Sequence, residues 1–173
     1  MNSFLKDNTS KKHANTDKLT QVKNRRAFFK DSKRVIKNYE GFISLIMIDI
    51  DYFKQINDIH GDNIGDIVLK NITALIENNI RKEDVFGLVS GEEFALVIPQ
   101  ADVKIAHAIA ENLRQKIDEN EVTVGDKLLN ITCSFGIASG AEGNIDKVYA
   151  NAEDALYLAK NNGRNRVEIH EDL

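Results

Sequence analysis

The chain has 173 residues, 42% of them hydrophobic, which suits one globular domain with its own core. A formal net charge of −4 argues against nucleic-acid binding by a general basic face, and the longest apolar run, Ile43 to Ile50, is far shorter than the roughly 20 residues a membrane helix needs. The opening Met1-Asn2-Ser3-Phe4-Leu5-Lys6 lacks the apolar stretch of a secretion signal, and the lone Cys133 has no disulfide or metal-binding companion, so the expected location is cytoplasmic and Cys133 reads as a buried strand residue.

Residues 1–16, polar and poor in apolar positions, read as a flexible leader or the remnant of a linker, which leaves residues 17–173 as the folded domain. Asn24 is placed to cap a helix running to about Tyr39, with Phe28, Val35, Ile36 and Tyr39 at helical spacing. Phe42 to Ile48 is almost wholly apolar and β-branched, the pattern of a central strand covered on both faces. It runs straight into Asp49-Ile50-Asp51. Carboxylates at the end of a buried strand are costly unless paired, and alternate positions aim both side chains the same way, so a metal ion is a natural partner. For Asp51 alone, capping the next helix is an equally good reading.

A short helix from Tyr52 to Ile59 should stop near Gly61, and Ile64, Val68, Ile72, Leu75 and Ile76 mark a second one. Asn57 and Asp66 flank the break between them. They suit either helix capping or the donor edge of a guanine. Two β-forming runs, Val85 to Val89 and Phe94 to Pro99, are joined by Ser90-Gly91-Glu92-Glu93, a hairpin carrying adjacent carboxylates at its tip. Gly91 has no side chain to obstruct an approaching molecule.

Ala101 to Asn120 reads as a helix with Ile105, Ile109, Leu113 and Ile117 inward, followed by a second hairpin around Gly125-Asp126 and a strand through Ser134 to Ala138. Asp146 to Asn161 forms the last helix, ending in Lys160-Asn161-Asn162-Gly163-Arg164-Asn165-Arg166. Cations there answer the helix dipole, or hold a triphosphate. Strands alternating with helices and hairpins around one sheet make the fold class α/β (α+β), with a mixed sheet.

Several separated motifs, in order, then strongly resemble one family. They are Asp17-x-Leu19-Thr20, Asn24-Arg25-Arg26-x-Phe28, Asp49-Ile50-Asp51-x-Phe53-Lys54-x-Ile56-Asn57-Asp58, Gly65-Asp66-x-x-Leu69, Ser90-Gly91-Glu92-Glu93-Phe94, Ser134-x-Gly136-Ile137-Ala138 and Ala155-Leu156-Tyr157-x-Ala159-Lys160-x-x-Gly163-Arg164-Asn165. From about Asp17 to Val167 the chain resembles the GGDEF family of diguanylate cyclases.

The resemblance implies a palm-like domain that condenses two GTP into cyclic di-GMP, releasing pyrophosphate, with a homodimer closing two half-sites. By motif position it implies that Asp49, Glu92 and the Ile50 carbonyl bind Mg²⁺ or Mn²⁺, and that Glu93 helps deprotonate the attacking ribose 3′-hydroxyl. Asn57 and Asp66 would bind guanine, Lys160 and Arg164 the β- and γ-phosphates, with Lys54 and Gly91 also at the substrate. Arg81-Lys82-Glu83-Asp84 matches the family's inhibitory product site, for which Arg81 and Asp84 are the candidates, although Asn112 stands where some members place a supporting Arg. The alternative is a degenerate, non-catalytic domain that binds GTP or cyclic di-GMP and regulates a partner. The chain departs from the pattern at Ser90, Leu88, Gln21 and Asp62, where the family usually has Gly, Arg, Gly and His. Ser90 matters most: a left-handed backbone there would cost about 1–2 kcal/mol, and its side chain could obstruct the nucleotide.

Overall fold

A computed structural model describes residues 14–141 and 144–171; most of the expected leader, residues 1–13, lies outside them. The central sheet has six strands: β1 (Lys23–Asn24), β2 (Ile43–Ile50), β3 (Val85–Leu88), β4 (Glu93–Pro99), β7 (Cys133–Gly140) and β8 (Val167–Ile169). Their spatial order is β1-β3-β4-β2-β7-β8, antiparallel inside and parallel at the two edges. The remaining strands, β5 (Glu121–Val124) and β6 (Lys127–Asn130), pair only with each other. The mixed sheet expected from the sequence is present.

Every residue of β2 is buried, as a strand covered on both faces requires. Alternation divides its side chains. Ile46, Ile48 and Ile50 meet α3 (Asp62–Glu77) and α4 (Val103–Asp118), whereas Ile43, Leu45 and Met47 meet α1 (Arg25–Asn38) and α5 (Ile145–Asn161). Each such side chain contributes about 1.5–3 kcal/mol by leaving water. Ser44, one of two polar residues in β2, donates to the Ala101 carbonyl at 2.9 Å and accepts from Ser139 Oγ at 2.6 Å.

Asn24 caps α1 as expected, its Oδ1 accepting from Ala27 N–H at 3.0 Å. The expected helices after Asp51 are α2 (Phe53–His60) and α3, with Gly61 between them at φ 90°. Two inward assignments are corrected. Phe42 is 55% exposed, because the strand starts one residue later, and Ile105 is 47% exposed. The inner face of α4 keeps the expected Leu113 and Ile117 and adds Ala106 and Ala110, whose small side chains let the helix sit close to the sheet.

Closer still is α5 on β7. A Cβ on Gly136 would fall 2.2 Å from the Leu156 nitrogen and 2.3 Å from the Ala152 carbonyl oxygen. With Ala152, Ala155 and Ala159 buried along the same helix, this contact brings the end of α5 down to the sheet.

Candidate active site

Strand register puts the acidic residues in one row. Asp49 is paired with Glu93 of β4 on one side and with Ser134 of β7 on the other. Paired residues share a face, and like charges directly opposite repel, so the row needs a cation. Lys160, from the last turn of α5, supplies it: its ammonium is hydrogen-bonded to Asp49 Oδ2 and stands 3.9 Å from Glu93 Oε1. Burial pushes the Asp49 carboxyl up to about 7; Lys160 pulls it down, and Glu92 and Glu93 push it further up.

A cleft of ≈ 360 Å³ opens beside Asp49, its wall formed in part by Ile50, Glu92, Lys54, Lys160 and Arg164. Among the described residues no group of three or more His, Cys, Asp or Glu is arranged to hold a metal ion. Two carboxylates sharing an electron-rich wall with a backbone carbonyl still suit a hard cation such as Mg²⁺, which keeps waters or substrate phosphates for the rest of its shell. The residues fit an ion shared with a bound phosphate rather than a closed protein cage.

Asp51 has a different place from the one its position suggested. It is not a helix cap: the residue before α2 is Tyr52, left-handed at φ 56°, with no side-chain capping bond. Asp51 instead accepts three hydrogen bonds, from Ser134 Oγ at 2.6 Å, Thr132 Oγ1 at 2.7 Å and Asn165 N–H at 3.0 Å. It ties the end of β2 to the start of β7 and to the turn after α5. In that turn Arg164 and Asn165 are both left-handed, at φ 64° and 44°, and the Arg164 guanidinium lies 4.6 Å from the Tyr52 ring centroid. Sequence reasoning missed both contacts; the only local trace was an aromatic residue directly after the Asp-x-Asp.

At the hairpin tip, Val89 N–H donates to the Glu93 carbonyl at 2.9 Å, closing the loop over Ser90, Gly91 and Glu92. Ser90 is exposed and does not have a positive φ, so the strain considered for it does not arise. Strain falls on a different departure. Gln21 has φ 63°, and its side chain compensates by donating to the Lys18 carbonyl at 2.7 Å. The other two departures are accommodated: Leu88 is buried in the core opposite Phe94, and Asp62 opens α3, where a carboxylate suits the positive end of the helix. Gly91 faces open space, with nothing within 4 Å of where a Cβ would stand.

The remaining candidates lie around this cleft or away from it. Lys54 is exposed and 3.4 Å from Asp58. Asn57 Oδ1 is buried without a hydrogen-bond partner, and a Cβ on Gly65 would fall 1.7 Å from it, so only glycine there leaves room for this amide. Asp66, the next residue, is exposed. Arg81 and Asp84 line a separate cavity of ≈ 470 Å³, together with Gln21, Lys23 and Glu77. They pair with each other: Arg81 Nη2 is 2.9 Å from Asp84 Oδ1 and also donates to the Pro99 carbonyl at 3.1 Å. Burial holds the Asp84 carboxyl above its usual value despite Arg81.

Acidic and basic side chains gathered at the end of a buried strand line one open cleft of an α/β domain. Comparison with known proteins makes the class specific. The family model described as "Diguanylate cyclase, GGDEF domain" matches residues 14–166, and the chain belongs to that family. It is 37% identical over 171 residues to diguanylate cyclase VdcA of Vibrio cholerae, covering 95% of this chain and 50% of the relative. To diguanylate cyclase A of Treponema denticola it is 37% identical over 132 residues, 73% of this chain and 35% of the relative. The chain thus spans half or less of the length of these curated relatives.

Among solved structures, the coiled coil and GGDEF domain of DgcB from Caulobacter crescentus, in complex with c-di-GMP, superposes with a TM-score of 0.88 at 28% identity, covering 96% of this chain and 92% of that one. The active GGEEF domain of a diguanylate cyclase from Vibrio cholerae gives 0.79 at 35% identity, covering 87% and 98%. No described helix is long and apolar enough to cross a membrane.

Proposed function

We propose that residues 17–173 form a diguanylate cyclase domain that condenses two GTP into cyclic di-GMP and releases two pyrophosphates, each of two identical domains presenting one nucleotide to the other. The observation that carries this reading is the row Glu93–Asp49 with Lys160 over it, opening into a cleft that also holds Glu92 and Arg164.

In each half-reaction a ribose 3′-oxygen bonds to the α-phosphorus of the facing GTP, the bond to pyrophosphate breaks, and Glu93 receives the hydroxyl proton. Asp49, Glu92 and the Ile50 carbonyl hold Mg²⁺, or Mn²⁺, which supplies neutralisation of charge on the reacting phosphates. Lys54, Lys160 and Arg164 bind phosphate oxygens, and bare Gly91 lets the nucleotide lie against the hairpin. The unpartnered Asn57 amide and exposed Asp66 read the guanine edge, in keeping with the orphaned buried Oδ1. Arg81 and Asp84, paired with each other at 2.9 Å, form a separate product site. Ser90, exposed and unstrained, supports an active enzyme over a degenerate one.

The test is incubation of purified protein with GTP and Mg²⁺ and chromatography for cyclic di-GMP. Absence of product at high protein concentration, with GTP still bound, sinks the proposal. Glu93→Gln should lower turnover by at least about 10²-fold while leaving the unfolding transition in place. Product formation at the original rate would remove Glu93 from the role of base.

A further inference from the structure

The two cations deepest in the cleft are held in different ways. Lys160 is engaged by carboxylates. Arg164 is not: among the described residues no hydrogen bond or ion pair is made by its guanidinium, which lies instead 4.6 Å from the Tyr52 ring centroid.

The backbone is arranged around this contact. Tyr52 (φ 56°) and Arg164 (φ 64°) are both left-handed, a conformation unfavourable for such residues and kept only where surroundings enforce it. The enforcing tie is Asp51, the residue before Tyr52, which accepts the N–H of Asn165, the residue after Arg164. Tyr52 is 52% exposed, so its ring is not there to fill the core. A guanidinium lying against an aromatic face uses only its own face; its N–H donors point outward in the plane and stay available.

We propose that Tyr52 is a positioning residue for the substrate: its ring holds the Arg164 guanidinium at the cleft wall that both residues line, ordered in advance, with its N–H donors free for the oxygens of a polyphosphate. The proposal rests on the reading of this cleft as a GTP site. The ring performs the task and the phenol hydroxyl does not. Arg164 then spends less side-chain freedom when the phosphate arrives, so the effect belongs to affinity for the phosphate part of the ligand.

The experiment is calorimetric titration of the full chain with Mg²⁺ and a GTP analogue carrying a methylene between the α- and β-phosphorus, and separately with guanosine. The proteins are wild type, Tyr52→Leu, Tyr52→Phe, Arg164→Ala and the double variant Tyr52→Leu/Arg164→Ala. Tyr52→Leu should weaken the triphosphate about two- to fivefold, the range for an exposed cation–π contact, and leave guanosine binding unchanged. Tyr52→Phe should bind like wild type. In the Arg164→Ala background the leucine substitution should have no further effect, because the two residues act as one unit.

The positioning role is overturned if Tyr52→Leu is silent while Arg164→Ala weakens binding. It is equally overturned if leucine weakens guanosine as much as the triphosphate, if phenylalanine is as damaging as leucine, or if the loss persists without Arg164. If Arg164→Ala itself leaves triphosphate affinity intact, the phosphate role of Arg164 falls first and takes the positioning role with it.

Discussion

Asp51 is held by two hydroxyls and a backbone N–H, whereas Asp49, two residues earlier at the same strand end, stands close to Glu92 and Glu93 and is bonded to the Lys160 ammonium. The first carboxylate fastens three segments of chain together. The second is held in a state the fold alone does not favour, its carboxyl raised to about 7 chiefly by burial. Two acids of one motif therefore differ: one stabilises the frame, and the other carries a carboxyl whose charge the fold disfavours. The same division separates the glycines, for Gly136 is pressed against the backbone of α5 while Gly91 borders open space.

The frame should respond most strongly. Gly136→Ala puts a methyl group where the Leu156 and Ala152 backbone atoms already stand, and backbone cannot swing aside as a side chain can. A loss of about 3 kcal/mol is expected, read as a lower urea midpoint with the slope retained. A midpoint within error of wild type would show that α5 can lift off β7 freely.

Next comes Asp51→Asn, which takes the charge and one acceptor oxygen from three donors and should cost about 2 kcal/mol. Asp49→Asn should act in the opposite direction. Its folded value of about 7 lies above the ordinary 3.8, so the folded state holds the proton more tightly than the unfolded chain does. The acid is thus neutral in its effect below about pH 4, lowers stability increasingly between pH 4 and 7, and reaches its full cost above that. In EDTA, Asp49→Asn should match wild type near pH 4 and be the more stable protein at pH 8. Loss of stability in both variants at pH 8 would erase the distinction between the two acids.

Much of this was legible in the sequence. The almost wholly apolar run gives β2, the polar tetrapeptide gives the hairpin, and Asn24 and Gly61 mark helix ends, because these signals are local. What escaped depends on distant partners. Asp51 sits where a helix cap belongs, and nothing nearby reveals that Thr132, Ser134 and Asn165 claim it. For α4, Ile105 alone misled, because the close approach to the sheet selects Ala106 and Ala110 over that larger side chain while Leu113 and Ile117 face inward as expected. Ser90 drew attention by its family position, yet strain resides at Gln21, since φ is set by the turn and not by how unusual a residue is there.

The donors to Asp51 lie 81, 83 and 114 residues further along the chain. At synthesis rates of about 5–20 residues per second, the Asn165 N–H is made roughly 6–23 seconds after Asp51. During that interval β2 and the hairpin already exist as sequence, but the wall carrying Lys160 and Arg164 does not. A growing chain therefore lacks part of the cleft wall, and the cleft is among the last features of the domain to be assembled.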